Sequence, residues 1–78
     1  MPFGISYSAL KEITEKRLRN RLEMKAQAGH PYDYAKFHAQ GVAIVEMWYE
    51  IVAAGNAPAE QTGADYVYFR ELLEPSRW

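Results

Sequence analysis

Three basic residues at four-residue spacing, Arg17, Arg21 and Lys25, are the first feature of this sequence that suggests a binding chemistry. They lie in EKRLRNRLEMK, whose leucines predict a helix, and residues four apart share one helix face. Like charges at this spacing mildly destabilise an isolated helix. Three roles are open: an ion pair inside the fold, a contact with an acidic partner protein, or phosphate binding.

The position of each basic residue along a helical hairpin separates these roles. In an antiparallel hairpin that turns near residue 30, Arg17 lies level with residue 44 and within reach of Glu46. An Arg17–Glu46 ion pair is therefore expected to fix the register of the two helices. Arg21 and Lys25 face no acid across such a hairpin, so we expect them to be available to an outside partner.

The other residues that can carry chemistry do not form a catalytic or metal-binding pattern. His30 and His38 are not at a metal-ligand spacing, and the chain has no cysteine to complete a ligand set. We interpret His38 as a core residue bonded to a carbonyl, hydroxyl or glutamate, and His30 as a solvated turn residue. Glu46 and Glu50 form a carboxylate pair that we expect to meet arginines. The sequence predicts no enzyme, no cofactor and no metal site.

Length and composition bound the class of protein. The chain has 78 residues, which predicts a single small domain over residues 1–78, and it carries a net charge of −1. Residues 11–25 carry six positive and three negative side chains, so the basic charge is concentrated there. The sequence has no cysteine, no signal-like start and no apolar run long enough for a bilayer, which predicts a soluble cytoplasmic protein without membrane contact.

Glycine and proline residues predict where the helices begin and end. Residues 1–7 predict an extended arm, with Ser6 or Ser8 as the N-cap of helix 1, about 8–28. The sequence GHPYD ends that helix, and helix 2 follows over about 33–54, until GNAP stops it.

The last segment is ambiguous between helix and strand. Residues 64–72 have high β propensity, but Thr62 followed by Asp65 resembles a capping box. We therefore predict a short helix 3 over about 63–73. The fold class is all-α: an antiparallel two-helix hairpin with a short third helix and an extended N-terminal arm.

Helix 2 is apolar around nearly its whole circumference, which is typical of a buried helix. Gly41 lies on its main apolar side and predicts either a notch for Phe69 or Leu18 or a close crossing between two copies of the chain. One hairpin and one short helix leave apolar surface to cover, so we expect a homodimer. The residues predicted to serve dimer or core packing are Gly41, Ala39, Ala43, Met47 and Trp48.

These features predict a non-enzymatic protein–protein interaction module: a small adaptor, accessory subunit or inhibitor of the kind that phages and bacteria encode. One alternative is a nucleic-acid-binding regulator that uses helix 1, which the overall charge makes less favourable. Another is a structural subunit of a larger assembly. The residues predicted to bind the partner protein are Arg17, Arg21, Lys25, Tyr32, Tyr66, Tyr68 and Trp78.

Overall fold

Residues 4–75 are described by the structure, a computed structural model, and they form three α-helices. The helices are α1 (Tyr7–Ala26), α2 (Pro31–Ala54) and α3 (Ala59–Leu73). No strand occurs in the described range, so the all-α prediction is confirmed, and the segment DYVYFRE is helical despite its β propensity. None of these three helices combines the length and the apolar character that crossing a bilayer requires.

Ser6 determines where α1 begins. The Ser6 hydroxyl accepts a hydrogen bond from the Ala9 amide at 3.1 Å, which is a side-chain N-cap of the predicted kind. Tyr7 is therefore already helical. Residue 7, the last of the predicted arm, therefore belongs to α1. The first three residues of the arm lie outside the described range. An extended arm stays a prediction.

The connection between α1 and α2 has the predicted length of four residues, but it lies two residues earlier in the sequence than predicted. α1 ends at Ala26 rather than at residue 28, and α2 begins at Pro31 rather than at residue 33. His30 explains the earlier start of α2, because its Nδ1 accepts the Tyr32 amide at 3.0 Å. Pro31 then occupies the first helical position, where a missing N–H leaves no donor unpaired. His30 is an N-cap, not merely a solvated turn residue.

The start of α3 differs from its prediction. α3 begins at Ala59 rather than at Gly63, because Pro58 is the N-cap and its carbonyl accepts the Thr62 amide at 2.9 Å. Thr62 and Asp65 are consequently interior residues of the helix, and both are buried. The predicted capping box is therefore wrong: the Asp65 side chain contacts α1 instead of capping α3.

The central helix of the molecule is α2. It packs extensively on both α1 and α3, whereas the backbones of α1 and α3 come close at only a few positions and these two helices meet mainly through side chains. α1 and α2 run antiparallel, because Leu10 lies beside Ile51 near one end of the pair and Lys25 contacts His38 near the other. The Cα atoms span 45 × 35 × 16 Å, so the molecule is flat. A flat arrangement of three helices leaves part of α2 without a covering helix.

The core lies where the three helices meet. Trp48 packs edge-on against Phe69, with ring centroids 5.0 Å apart, and against Tyr7 at 6.2 Å. Such aromatic pairs add about 0.5–1.5 kcal/mol beyond the area they bury. The buried apolar side chains are Leu18, Val45, Trp48, Val52, Phe69 and Leu73.

Gly41 provides a notch in this core. A Cβ at position 41 would lie 2.6 Å from Leu73 Cδ2 and 3.4 Å from Leu18 Cδ1. Leu18 is one of the two neighbours proposed from the sequence, and Leu73 takes the place of Phe69. Gly41 and Trp48 are both buried within one chain, so their packing is accounted for without a second copy.

Candidate interaction surface

An open groove runs between α1 and α2 on the side that α3 does not cover. Its volume is about 320 Å³, and no α3 residue contributes to its lining. We call it the hairpin groove; the residues that line it are Leu10, Ile13, Thr14, Arg17, Ala43, Ile44, Met47, Trp48 and Ile51. Every residue of this set other than Thr14 and Arg17 is apolar.

The apolar residues at the edges of the hairpin groove are unusually exposed for their type. Met47 is 63% exposed, Ile13 is 50% exposed and Ile51 is 46% exposed. Single exposed apolar residues are common on protein surfaces, but a contiguous group that lines one groove is typical of an interaction site. The groove exists because α3 packs only on the other side of the α1–α2 pair.

Arg17 is the one charged residue of the hairpin groove, and it is exposed. The predicted ion pair with Glu46 is wrong, since no ion pair within residues 4–75 includes Arg17. Glu46 lies on the α3 side of α2, where it accepts a hydrogen bond from the Tyr66 hydroxyl at 2.8 Å. Arg17 thus places a guanidinium group beside an apolar groove, and no carboxylate of residues 4–75 is paired with it.

Arg21 and Lys25, which follow Arg17 at four-residue spacing, have different surroundings. Arg21 bonds within α1, to the Asn20 side chain at 2.5 Å and to Met24 Sδ at 3.5 Å. Lys25 is engaged inside the fold: its Nζ lies 3.3 Å from His38 Nδ1 and donates to the Leu73 carbonyl at 3.3 Å. A backbone carbonyl and an imidazole thus take the place of the missing acid, and contact of Lys25 with a partner stays a prediction.

His38 connects Lys25 to the end of α3. Its Nε2 lies 3.1 Å from Glu74 Oε1. A lysine ammonium can only donate, so Nδ1 accepts and Nε2 carries the hydrogen that Glu74 receives. His38 is half-buried, and a glutamate partner is among those expected from the sequence. The three side chains hold α1, α2 and the end of α3 together.

The predicted tyrosines do not gather around Arg17. Tyr32 is 68% exposed at the start of α2. Tyr68 accepts a hydrogen bond from Arg19 at 3.1 Å. Tyr66 belongs to α3 and faces α2, and its hydrogen bond to Glu46 raises its pKa. Trp78 lies outside the described residues. The predicted partner-binding residues that the structure describes are therefore distributed over several sides of the molecule.

A second polar cluster, which the sequence reasoning did not find, joins the start of α1 to α3. The Asp65 carboxylate accepts the Tyr7 hydroxyl at 2.5 Å and lies 3.0 Å from Lys11 Nζ. Burial, together with Asp65, raises the pKa of Tyr7 to about 12. Burial also raises the pKa of Asp65, but the bonds from Tyr7 and Lys11 outweigh it and hold that pKa below its usual value.

This cluster is suited to stabilising the fold rather than to catalysis. A carboxylate with a lowered pKa is a weak base, and a tyrosine with a raised pKa is a weak acid at neutral pH. The only signal in the sequence was an aspartate on the inner side of α3, with Tyr7 and Lys11 one turn apart on α1. Within residues 4–75, no group of three side chains suited to hold a metal ion comes together.

Comparisons with known proteins return no match: no family model, no curated protein and no solved structure is similar enough to this chain to indicate a family.

Proposed function

We propose that this protein is a non-enzymatic protein–protein interaction module that binds its partner through the hairpin groove. The observation that carries the proposal is the groove itself, with exposed apolar side chains on two helices and Arg17 beside them. In the cytoplasmic setting predicted from the sequence, such a module acts as an adaptor, accessory subunit or inhibitor by occupying a partner's surface.

The chemistry of the groove supports a protein partner. Met47 is flexible and polarisable, so it can adapt to an apolar side chain inserted between the helices. Arg17 combines an apolar stem with a planar group that can bind a carboxylate in two places, and arginine is enriched at protein interfaces. A partner that places an apolar side chain in the groove and an acidic residue next to Arg17 would bind both the apolar lining and the guanidinium group.

Nucleic acid is the less favourable alternative partner. Lys11, Arg19 and Lys25 belong to the basic segment of α1, and each one contacts residues of another helix within the chain. Fewer cations are therefore available for phosphates than the sequence suggested. The groove between the helices is apolar, whereas phosphate binding is mainly electrostatic.

A pull-down from the native host, with and without nuclease, tests the proposal. Met47→Glu and Arg17→Glu alter the hairpin groove, and Val67→Glu is the matched control, since Val67 is 58% exposed on α3. We expect a protein that survives nuclease treatment, is lost with the two groove variants and is retained with the control. Circular dichroism checks that all the variants are folded.

Two outcomes would contradict the proposal. A partner that binds the groove variants and the wild type equally well would show that the groove is not the binding surface. Recovery of nucleic acid alone, abolished by nuclease and by Arg17→Glu, would favour the regulator that uses α1.

A further inference from the structure

The outer face of α2 borders the hairpin groove and has a pattern that the groove alone does not explain. We define this face by five residues: Lys36, Ala39, Ala43, Met47 and Glu50. All five are exposed, and Ala43 and Met47 also line the groove. Lys36, Ala43 and Glu50 are seven residues apart, a spacing that keeps them on one side of a helix with a drift of only about 20° per step.

This face is complementary to itself when a second copy is placed antiparallel to it. A twofold axis through Ala43 places Lys36 of one copy opposite Glu50 of the other, because the two lie equally far from position 43. The same axis places Ala39 opposite Met47. Opposite charges therefore meet about 10 Å on each side of the axis, and a small side chain meets a large one nearer to it.

Ala43 at the axis permits the two helices to approach closely. Only two methyl groups, one from each copy, separate the backbones there, so the larger Met47 side chains can pack beside the crossing point. The slow drift of residues spaced by seven favours a left-handed crossing at about 20°. Met47 then extends toward the partner chain while Ile51 and Ile13 continue the apolar surface at the flank.

The charges at the two ends of the face favour a second copy of the chain in the antiparallel orientation. Within residues 4–75, neither Glu50 nor Lys36 takes part in an ion pair. The Lys36 ammonium group lies 4.9 Å from the centroid of the neighbouring Phe37 ring. A parallel pair of α2 helices would place Lys36 opposite Lys36 and Glu50 opposite Glu50, which is repulsive. An antiparallel pair makes two attractive contacts instead.

We infer that a second copy of this chain covers the outer face of α2, in a twofold antiparallel pair centred on Ala43. The inference rests on the proposed function, since it names a partner for the same side of the molecule. Closed twofold dimers require one patch that is complementary to itself, and the outer face of α2 meets that requirement in both charge and size.

Charge exchange between Lys36 and Glu50 tests the pairing. The apparent mass of the purified chain is measured by sedimentation velocity from micromolar to millimolar concentration. Lys36→Glu or Glu50→Lys alone turns two attractive contacts into two repulsive ones, so we expect the dimer Kd to rise about tenfold. The double variant Lys36→Glu/Glu50→Lys restores both contacts, and we expect it to dimerise like the wild type.

Mixing the two single variants gives the most discriminating result. One chain then has glutamate at both positions and the other has lysine at both, so we expect a heterodimer to form in preference to either homodimer. Glu60→Lys makes the same chemical change as Glu50→Lys at an exposed position of α3, and it should leave the dimer Kd unchanged.

The contrary outcomes separate this inference from the proposed function. A chain that stays monomeric throughout, or a dimer that is insensitive to the single variants and the mixture, overturns the pairing. If the pull-down partner is nevertheless lost with Met47→Glu, the groove still binds another protein and only the second copy is excluded. If Met47→Glu changes neither the mass nor the captured protein, both proposals fail.

Discussion

The two sides of the α1–α2 pair differ sharply although the same helices form both. On the side covered by α3, Trp48 and Phe69 are buried, and the polar side chains of Asp65 and Lys25 find partners in other helices. On the uncovered side, Met47 is 63% exposed and Arg17 has no ion pair among the described residues. The covered side accounts for stability, and the uncovered side is available for binding.

This difference arises from the number of helices rather than from the composition of α2. α2 is apolar on both sides, but α3 has only 15 residues and packs against one of them. A third helix can bury the side that contains Trp48 and Val45, and no described segment remains to bury Met47. An apolar side that no described segment covers is the physical reason for expecting a partner.

Truncation of one apolar residue on each side should give the largest contrast in stability. Phe69→Ala removes a fully buried ring and should lower the free energy of unfolding by about 3–5 kcal/mol. Met47→Ala should change it by no more than about 0.5 kcal/mol in the monomer. Urea denaturation followed by circular dichroism at low protein concentration measures both.

Phe69→Leu keeps this comparison measurable if Phe69→Ala does not fold. It leaves a smaller cavity and should cost less than Phe69→Ala but clearly more than Met47→Ala. Similar losses at positions 69 and 47 would mean that the two sides are equally buried, which would contradict the uncovered groove.

Two glycines provide a second contrast, between a packed and an open helix surface. Gly41→Ala should destabilise the protein by about 1 kcal/mol, because overpacking against Leu73 exceeds the gain in helix propensity. Gly63→Ala should stabilise it by about 0.5–1 kcal/mol, since nothing lies within 4 Å of the new methyl group. Thermal unfolding of both variants measures the difference. Stabilisation by both would show that Leu73 moves aside at little cost.

The sequence predicted the parts of the fold that depend on local signals. Gly55 marks the end of α2, and Ser6 caps α1, because each acts through its own backbone or that of a close neighbour. The start of α3 was wrong for the same reason: Thr62 and Asp65 have the spacing of a capping box, but Pro58 begins the helix earlier. A local pattern cannot show that a better helix start lies upstream.

The sequence did not predict the contacts made across the fold. Asp65 and Tyr7 are 58 positions apart, and their meeting depends on how α3 packs on α1. Lys25 seemed to lack a partner because only acidic side chains were considered, whereas it donates to the Leu73 carbonyl. The uncovered side was easier to anticipate, since α2 has more apolar surface than its neighbours can bury.

Acid should weaken the covered side through Asp65. Its pKa is lowered in the folded state, so its contribution to stability is present above the unfolded value of about 3.9 and is lost as the pH falls through the folded value. Asp65→Asn should cost about 1–2 kcal/mol at neutral pH, because Tyr7 and Lys11 lose a charged acceptor.

The pH dependence distinguishes this charge effect from a packing defect. As the pH falls from about 4 through the lowered pKa of folded Asp65, the wild type should approach the stability of Asp65→Asn, because the carboxyl group is neutral in both states only below that pKa. Glu60→Gln, at an exposed position of the same helix, is the control, and it should leave the loss of stability at acidic pH unchanged. A constant difference between wild type and Asp65→Asn at every pH would assign the loss to packing.

The last comparison separates two of the three basic residues of α1 that are spaced by four, Lys25 and Arg17. Lys25→Met keeps most of the apolar stem but removes the hydrogen bonds to His38 and the Leu73 carbonyl, so it should cost about 0.5–1.5 kcal/mol. Arg17→Met removes a charge that has no ion pair in the described residues, so the monomer should keep its stability within about 0.5 kcal/mol.

Partner capture should show the reverse order, with Arg17→Met weakening it and Lys25→Met leaving it intact in the folded fraction. If Lys25→Met instead weakens capture without lowering stability, Lys25 belongs to the binding surface and the division between the two sides does not hold at that end of the molecule.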